Sequence, residues 1–590
     1  MTEATITRPS SKVGKLPLMH YKVAMPQPQS HLFEVTLRVQ NWPEPLLNLQ
    51  MPVWTPGSYL VREYAKQIQD FAAEGGEKPN PLTWRKLAKN HWQIETADTS
   101  EITIRYRVFA NELTVRTNHL DATHGYFNGA ALFFFIEGYE QRPIQVKIVP
   151  AHPDWQISTS LPPVAGEANT FQAVDFDTLV DSPFEIGCQR RYDFEVLGKP
   201  HQLVIWGEGN TEPERIIADT KKIIEVEADL FDGLPYDQYL FLLHLSASGF
   251  GGLEHKDSCT LNYPRFGFRA KDRYERFMQL VAHEFFHLWN VKRIRPKALE
   301  VFDYNQENYT TSLWFCEGTT SYYDLVMPLR AGIYDTRTFL DGLSKEISRF
   351  LLTHGRKVQP LSESSFDAWI KLYRRDANSE NCQISYYLKG EMVSFLLDLL
   401  IRCQHQNKRS LDDVMRQVWE KFGKEEIGYT PEQLQDTIES VAKVDLGEFF
   451  ALYIDGTTEL PFDEYLEPFG LEVKGIEEEE AVPFLGLKVK IENGQEVISF
   501  VEVDSPAAVA GVDSNDQLLA INGIRVTADQ LSDRLKDYNA GDTIELTVFH
   551  QDELRTLPVK LEGTRPSRYE IVQVKNLTNA QKRNYKGWLE

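Results

Sequence analysis

Cysteine is scarce: five in 590 residues, at Cys188, Cys259, Cys316, Cys382 and Cys403. The number is odd and no two stand as a C-x-x-C pair, which argues against a disulfide framework and against a thiolate zinc knuckle. A reducing compartment fits this usage. Basic residues are in the minority, 63 against 86 acidic, giving a formal charge of -23. Such a surface repels phosphate backbones and anionic head groups, so nucleic acid and membrane surfaces are not expected partners. Nowhere do about 18 apolar residues follow one another, and the first residues lack a basic start followed by an apolar stretch. The expectation is a soluble, cytoplasmic protein. Histidine is also sparse, 14 in all, yet two stand four apart in VAHEFFHLWN, at His283 and His287.

What is present is enough apolar residue, 42%, to fold, in a chain too long for one core; about three domains are expected. Residues 1–187 read as β structure. Phe33, Val35, Leu37 and Val39 alternate with polar residues, as do Ile102, Ile104, Tyr106 and Val108, the period of half-buried strands. Residues 188–470 turn helical, with long periodic stretches at 213–231, 271–291, 312–327 and 386–403. An acidic linker is expected over 471–482, where four adjacent glutamates repel one another and bury nothing. Short strands return over 483–562, with a helix predicted in TADQLSDRLKDY, and the tail 563–590 carries no clear pattern. The fold class is multidomain α+β.

On a helix, His283 and His287 share a face one turn apart, close enough for two imidazoles to meet one zinc ion. Glu284 sits about 100° round the helix, where a carboxylate acts as general base and then general acid. Zinc lowers the pKa of a bound water from about 16 to roughly 7, which makes a nucleophile at neutral pH. A catalytic zinc usually takes three protein ligands. Glu317 in LWFCEGTT is the candidate third, because a carboxylate among apolar and aromatic residues needs a partner. Glu307, its competitor, lies in the polar loop YNQENY and is solvated at no cost. Both histidines could instead be partnered core residues, and Glu317 an ion-pair partner for an arginine of VKRIRP. The conjunction of pair, base and third carboxylate favours one Zn2+ per chain. Arg293 and Arg295 suit the negative end of the zinc helix dipole.

With these residues in view the chain resembles the glycyl aminopeptidase family of gluzincin metallopeptidases, along nearly its whole length. The matching stretches are WTPGSYLVREY (54–64), GGLEH (251–255), HEFFHLWNVKRIRP (283–296), LWFCEGTTSYY (313–323) and SYYLKG (385–390). The resemblance implies a β-rich N-terminal domain, a thermolysin-like catalytic domain and a C-terminal PDZ module. It implies that Glu254 binds the free α-amino group of a peptide substrate, with Gly251 and Gly252 letting the substrate backbone approach. His255 departs from the related G-x-M-E-N pattern. Tyr387 is implied as the oxyanion donor, with Tyr386 as its neighbouring alternative. Residues 483–562 resemble a PDZ domain, in which Leu485, Gly486 and Leu487 form the loop that holds a peptide C-terminus. The expected activity is zinc-dependent removal of a small N-terminal residue, glycine or alanine, from peptides. A PDZ-assisted endopeptidase and a non-catalytic peptide-binding scaffold are the rival readings.

Overall fold

The computed structural model describes residues 16–96, 98–477 and 482–589. Two compact units divide the chain: Met1–Lys221, Gly233–Leu288 and Val301–Asn308 form the first, and Lys222–Asp232, Trp289–Glu300 and Tyr309–Glu590 the second.

The first unit is dominated by β structure. A seven-stranded sheet runs in the order Thr170–Ala173, Ile144–Val149, Leu18–Ala24, Leu32–Gln40, Ile102–Phe109, Ile68–Gly75, Asn80–Pro81. At its centre Val35 pairs with Tyr106 and Leu37 with Ile104. The two alternating stretches therefore bury one face together, and Phe33, Leu37, Ile104 and Val108 have no exposed surface. Further on, a five-stranded sheet has the order Arg190–Val196, Lys199–Trp206, Tyr239–Ser246, Ser258–Pro264, Gly251–Glu254. Its central strand Tyr239–Ser246 is parallel to both neighbours and buried along nearly its full length, which is why it reads as a continuous apolar run rather than an alternation. Gly251–Glu254 is the antiparallel edge strand. The helix Lys271–Phe286 packs on Gly251–Glu254 and Ser258–Pro264, with Phe285 against Tyr239 and Phe277 against Tyr263.

The second unit is helical before it is β. The helix Tyr386–Gln404 is buried almost all round, as a helix at the centre of a bundle must be. It is approached by the π-helical turn Trp314–Gly318, and the close approach explains two glycines. A Cβ on Gly318 would lie 2.5 Å from the Cα of Gly390, and one on Gly390 would lie 2.7 Å from the carbonyl oxygen of Trp314. A buried network anchors the same helix, in which Asp398 accepts from Tyr322 (2.7 Å), Arg402 (2.8 Å) and the Leu411 amide (2.8 Å).

The C-terminal sheet places Leu487–Glu492, Gln495–Val501, Gln517–Ile521, Thr543–His550 and Glu553–Lys560 in that order. Its helix is shorter than its polar and apolar pattern suggests, Leu531–Leu535. Leu471–Ile476 is a strand paired antiparallel with Arg568–Gln573, and the latter is hydrogen-bonded to Ser344 and Ser348 of the helix Thr336–Leu352. A final helix spans Asn579–Leu589. Of the acidic run, residues 478–481 lie outside the described residues. All five cysteines are free thiols, and among the described residues no helix is long and apolar enough to cross a membrane.

Candidate active site

In the first unit the helix Lys271–Phe286 ends at the HEFFH motif, with His287 as its C-cap, its N–H reaching the His283 carbonyl at 3.3 Å. The sequence periodicity predicts helix to residue 291. Instead the Leu288 N–H bonds to the Phe285 carbonyl three residues back, and the Ile294 N–H to the Trp289 carbonyl five back, so the four-residue spacing of the α-helix is lost where the chain turns. His283 and His287 have ring centroids 4.6 Å apart with planes nearly perpendicular. That is the same-face pair expected of residues i and i+4. Glu284 and His287 are buried.

The edge strand brings Glu254 to this helix. Donor atoms of Glu254, Glu284 and His287 lie within 4.8 Å of one another. Gly252 makes the approach possible: a Cβ there would sit 2.2 Å from Cδ and Oε1 of Glu284. The space at Gly252 is thus occupied by the Glu284 side chain, while Gly251, at φ +137°, has open space where its side chain would be. The Gly252 carbonyl accepts from Arg116 at 3.2 Å. His255, the departure from the related pattern, is 3.2 Å from Asp181, which also accepts from the Lys256 amide at 2.7 Å. This pins the end of the strand.

Sequence reasoning assigned no role to Gly57, although it lies in WTPGSYLVREY. In the TPGS turn Ser58 N–H bonds to the Thr55 carbonyl, with Gly57 at φ +83°, the arrangement in which proline and then a left-handed glycine are favoured. A Cβ on Gly57 would lie 2.5 Å and 2.7 Å from the two carboxylate oxygens of Glu254. Glu254 is 3% exposed, and its Oε1 has no hydrogen-bond partner among the described residues. A buried carboxylate oxygen without a donor is available to a cationic ligand. Cys259 lies near these carboxylates. Burial, reinforced by Glu284 and Glu254, pushes its thiol well up, so it is no nucleophile at neutral pH.

In the second unit, Glu317 sits in the π-helical turn and is 1% exposed. Asn290, three residues beyond His287, donates to the Phe315 carbonyl (2.9 Å) and the Cys316 carbonyl (3.2 Å) just before it. Turns of this kind widen a helix locally and recur at functional positions. Glu307 is half-buried in a coil of the first unit. Tyr386 and Tyr387 stack at 4.8 Å at the start of the central helix. Tyr386 is wholly buried, whereas Tyr387 keeps part of its surface. Desolvation, with Glu317, Tyr373 and Tyr386 beside it, pushes the Tyr387 phenol well above its usual pKa, so it remains a hydrogen-bond donor. Arg295 pairs with Glu426 at 3.9 Å and Arg293 is buried.

In the C-terminal sheet the carbonyls of Leu485 and Gly486 are occupied, by the amides of Ala507 and Glu502. Leu485 belongs to the core of that sheet. Gly486 has φ +82°, and a Cβ on it would lie 2.2 Å from the Ser505 Cβ. Leu485, Gly486 and Leu487, with Leu531 and Leu535, line a cavity of about 660 Å³.

Residues 20–188 match the Peptidase M61 N-terminal domain, residues 276–393 the M61 glycyl aminopeptidase domain, and residues 483–561 a PDZ domain. No curated protein matches the chain. Among solved structures, an aminopeptidase N family protein of Idiomarina loihiensis is 32% identical, with a TM-score of 0.91, covering 97% of this chain and all of that one. An M1 zinc metallopeptidase of Deinococcus radiodurans is 16% identical with a TM-score of 0.47, covering 75% of this chain and 94% of that one. The whole-length match in sequence and backbone, together with an ordered HEFFH helix beside the GGLE strand, shows that the chain belongs to the M61 glycyl aminopeptidase family and is a metallo-aminopeptidase.

Proposed function

We propose that the chain is an aminopeptidase with a single zinc in its catalytic site that removes a small N-terminal residue, glycine or alanine, from peptides with a free amino terminus. The observation that carries this reading is the cluster of Glu254, Glu284 and His287 donors within 4.8 Å, two carboxylates of different surroundings beside an imidazole.

The donor chemistry suits zinc: two imidazoles on successive turns with perpendicular rings, and in Glu317 a buried carboxylate to complete a His2Glu set. When bound, zinc would supply Lewis acidity toward the peptide carbonyl and acidify the attacking water. Glu284 takes the proton of that water and returns it to the leaving amine. Glu254 receives the substrate α-ammonium, a charge-assisted pairing that fixes how far the chain end lies from the scissile bond. Tyr387 donates to the oxyanion of the tetrahedral intermediate. The preference for glycine or alanine rests on family membership. At the PDZ module, the cavity beside Leu485, Gly486 and Leu487 supports capture of an extended peptide by its C-terminus.

The test is Glu284→Gln assayed on aminoacyl reporters beside metal analysis. Retained zinc with turnover reduced about 10²-fold to 10⁴-fold is expected from losing a general base. Undiminished turnover removes Glu284 from the mechanism. Hydrolysis of N-acetylated peptides as fast as of free ones would instead identify an endopeptidase.

A further inference from the structure

A second set of metal donors stands on the hairpin formed by His119–Leu120 and His124–Phe127 in the first unit. Tyr126 pairs with His119 across it, so strand alternation turns His119, Asp121 and His124 to one face. Donor atoms of these three residues lie within 4.8 Å of one another.

His124 is fully buried. Its Nδ1 is 2.8 Å from Oε1 of Glu185, whose other oxygen is 2.8 Å from Nε2 of His244, and its ring stacks on Trp206 at 3.6 Å. A carboxylate at Nδ1 fixes the tautomer and leaves the lone pair on Nε2, the arrangement found behind metal-binding histidines. That Nε2 is buried and has no hydrogen-bond partner among the described residues. His119 Nε2 lies 3.2 Å from Oδ2 of Asp121 without a hydrogen bond. Donors about 2.0–2.1 Å from a tetrahedral metal stand about 3.3 Å apart, which this spacing matches. Oδ1 of Asp121 is held by the Thr123 amide (2.7 Å), the Thr123 hydroxyl (2.6 Å) and the His124 amide (3.1 Å), and this aims Oδ2 at His119. A simple ion pair between His119 and Asp121 would leave the buried His124 nitrogen without a partner.

We propose that His119, Asp121 and His124 bind a divalent transition metal of the zinc class, distinct in its ligands from the HEFFH pair. The side chains of His119 and Asp121 are 13% and 33% exposed, which gives an ion a way in. Bound there, the ion ties the hairpin to Glu185 and His244, so its effect is on stability, and it does not depend on the peptidase reading.

The experiment uses the full chain carrying His283→Ala and His287→Ala, with Zn2+ measured by equilibrium dialysis and Co2+ by visible absorption. One zinc per chain is expected to remain, together with a Zn2+-dependent rise in Tm. Adding His119→Gln or, separately, Asp121→Asn should reduce binding at least tenfold and abolish that rise, with circular dichroism reporting that the fold persists. If the double-alanine chain does not fold, the same two substitutions in the otherwise unchanged chain should lower zinc from two per chain to one while peptide hydrolysis continues. Zinc content unmoved by both substitutions overturns the proposal. Failure of the peptidase reading would show separately, as no hydrolysis of free-amine peptides by the zinc-loaded parent chain.

Discussion

The Cα of Gly252 faces the carboxyl group of Glu284 so closely that a Cβ would lie 2.2 Å from its Cδ, far inside any contact real atoms sustain. An edge strand and a helix thus meet through a missing side chain. Gly252→Ala should displace Glu284 and lower kcat by about 10²-fold to 10⁴-fold, the range that general acid–base catalysis contributes. Zinc content and Tm should change little. Steady-state kinetics with metal analysis checks this, and normal kcat would show that Glu284 works from another position.

Gly57→Ala strikes the neighbouring carboxylate by another route. It places a Cβ against Glu254 and forces alanine into φ +83°, a left-handed conformation that costs about 1–2 kcal/mol. The expected kinetic result is a KM for free-amine peptides raised by about tenfold or more, the value of roughly 1.4 kcal/mol of binding. A KM that stays put while Tm falls would mean that the turn supports only the fold.

Tyr387→Phe should lower kcat by about 10²-fold to 10³-fold with KM nearly constant, the signature of a lost oxyanion donor. Tyr386→Phe, on a ring wholly buried, should leave kcat within a few-fold. The reverse pattern would exchange the two assignments.

Lys389 is 1% exposed and donates to the Gly456 carbonyl at 3.0 Å. Burial lowers its pKa from 10.5 to about 8, with Glu459 opposing the shift. Between about pH 8 and 10.5 the unfolded chain therefore binds more protons than the folded one, and stability rises with pH. The contribution is complete above the unfolded value and is lost as pH falls through about 8. Lys389→Met should accordingly gain most on the parent at pH 7, and about 1–3 kcal/mol of that advantage should vanish by pH 10. Denaturation of both proteins across this range measures it, and a difference independent of pH would refute the assignment.

The sequence disclosed whatever repeats within a few residues. Phe33 to Val39 and Ile102 to Val108 alternate because each strand has one dry face, and that pattern is local. His283, Glu284 and His287 were legible because helix geometry alone sets their relation. Gly57 beside Glu254 was not, since nearly two hundred residues separate them and nothing near either one refers to the other. The pairing of Leu471–Ile476 with Arg568–Gln573 was hidden for the same reason: a lone strand amid charges shows no alternation until its partner is known. The end of the helix at Phe286 was missed because no glycine or proline marks it.

That pairing has a consequence for how the PDZ module is carried. The chain enters it from one strand of a two-stranded ribbon and returns along the other, and the ribbon is stapled to Ser344 and Ser348. The module is therefore an insertion with both ends clamped at a common base, not a bead on a string. Cutting the protein short after the module would strip an edge from the helical body, whereas replacing the module by a short loop across the ribbon would leave that body whole.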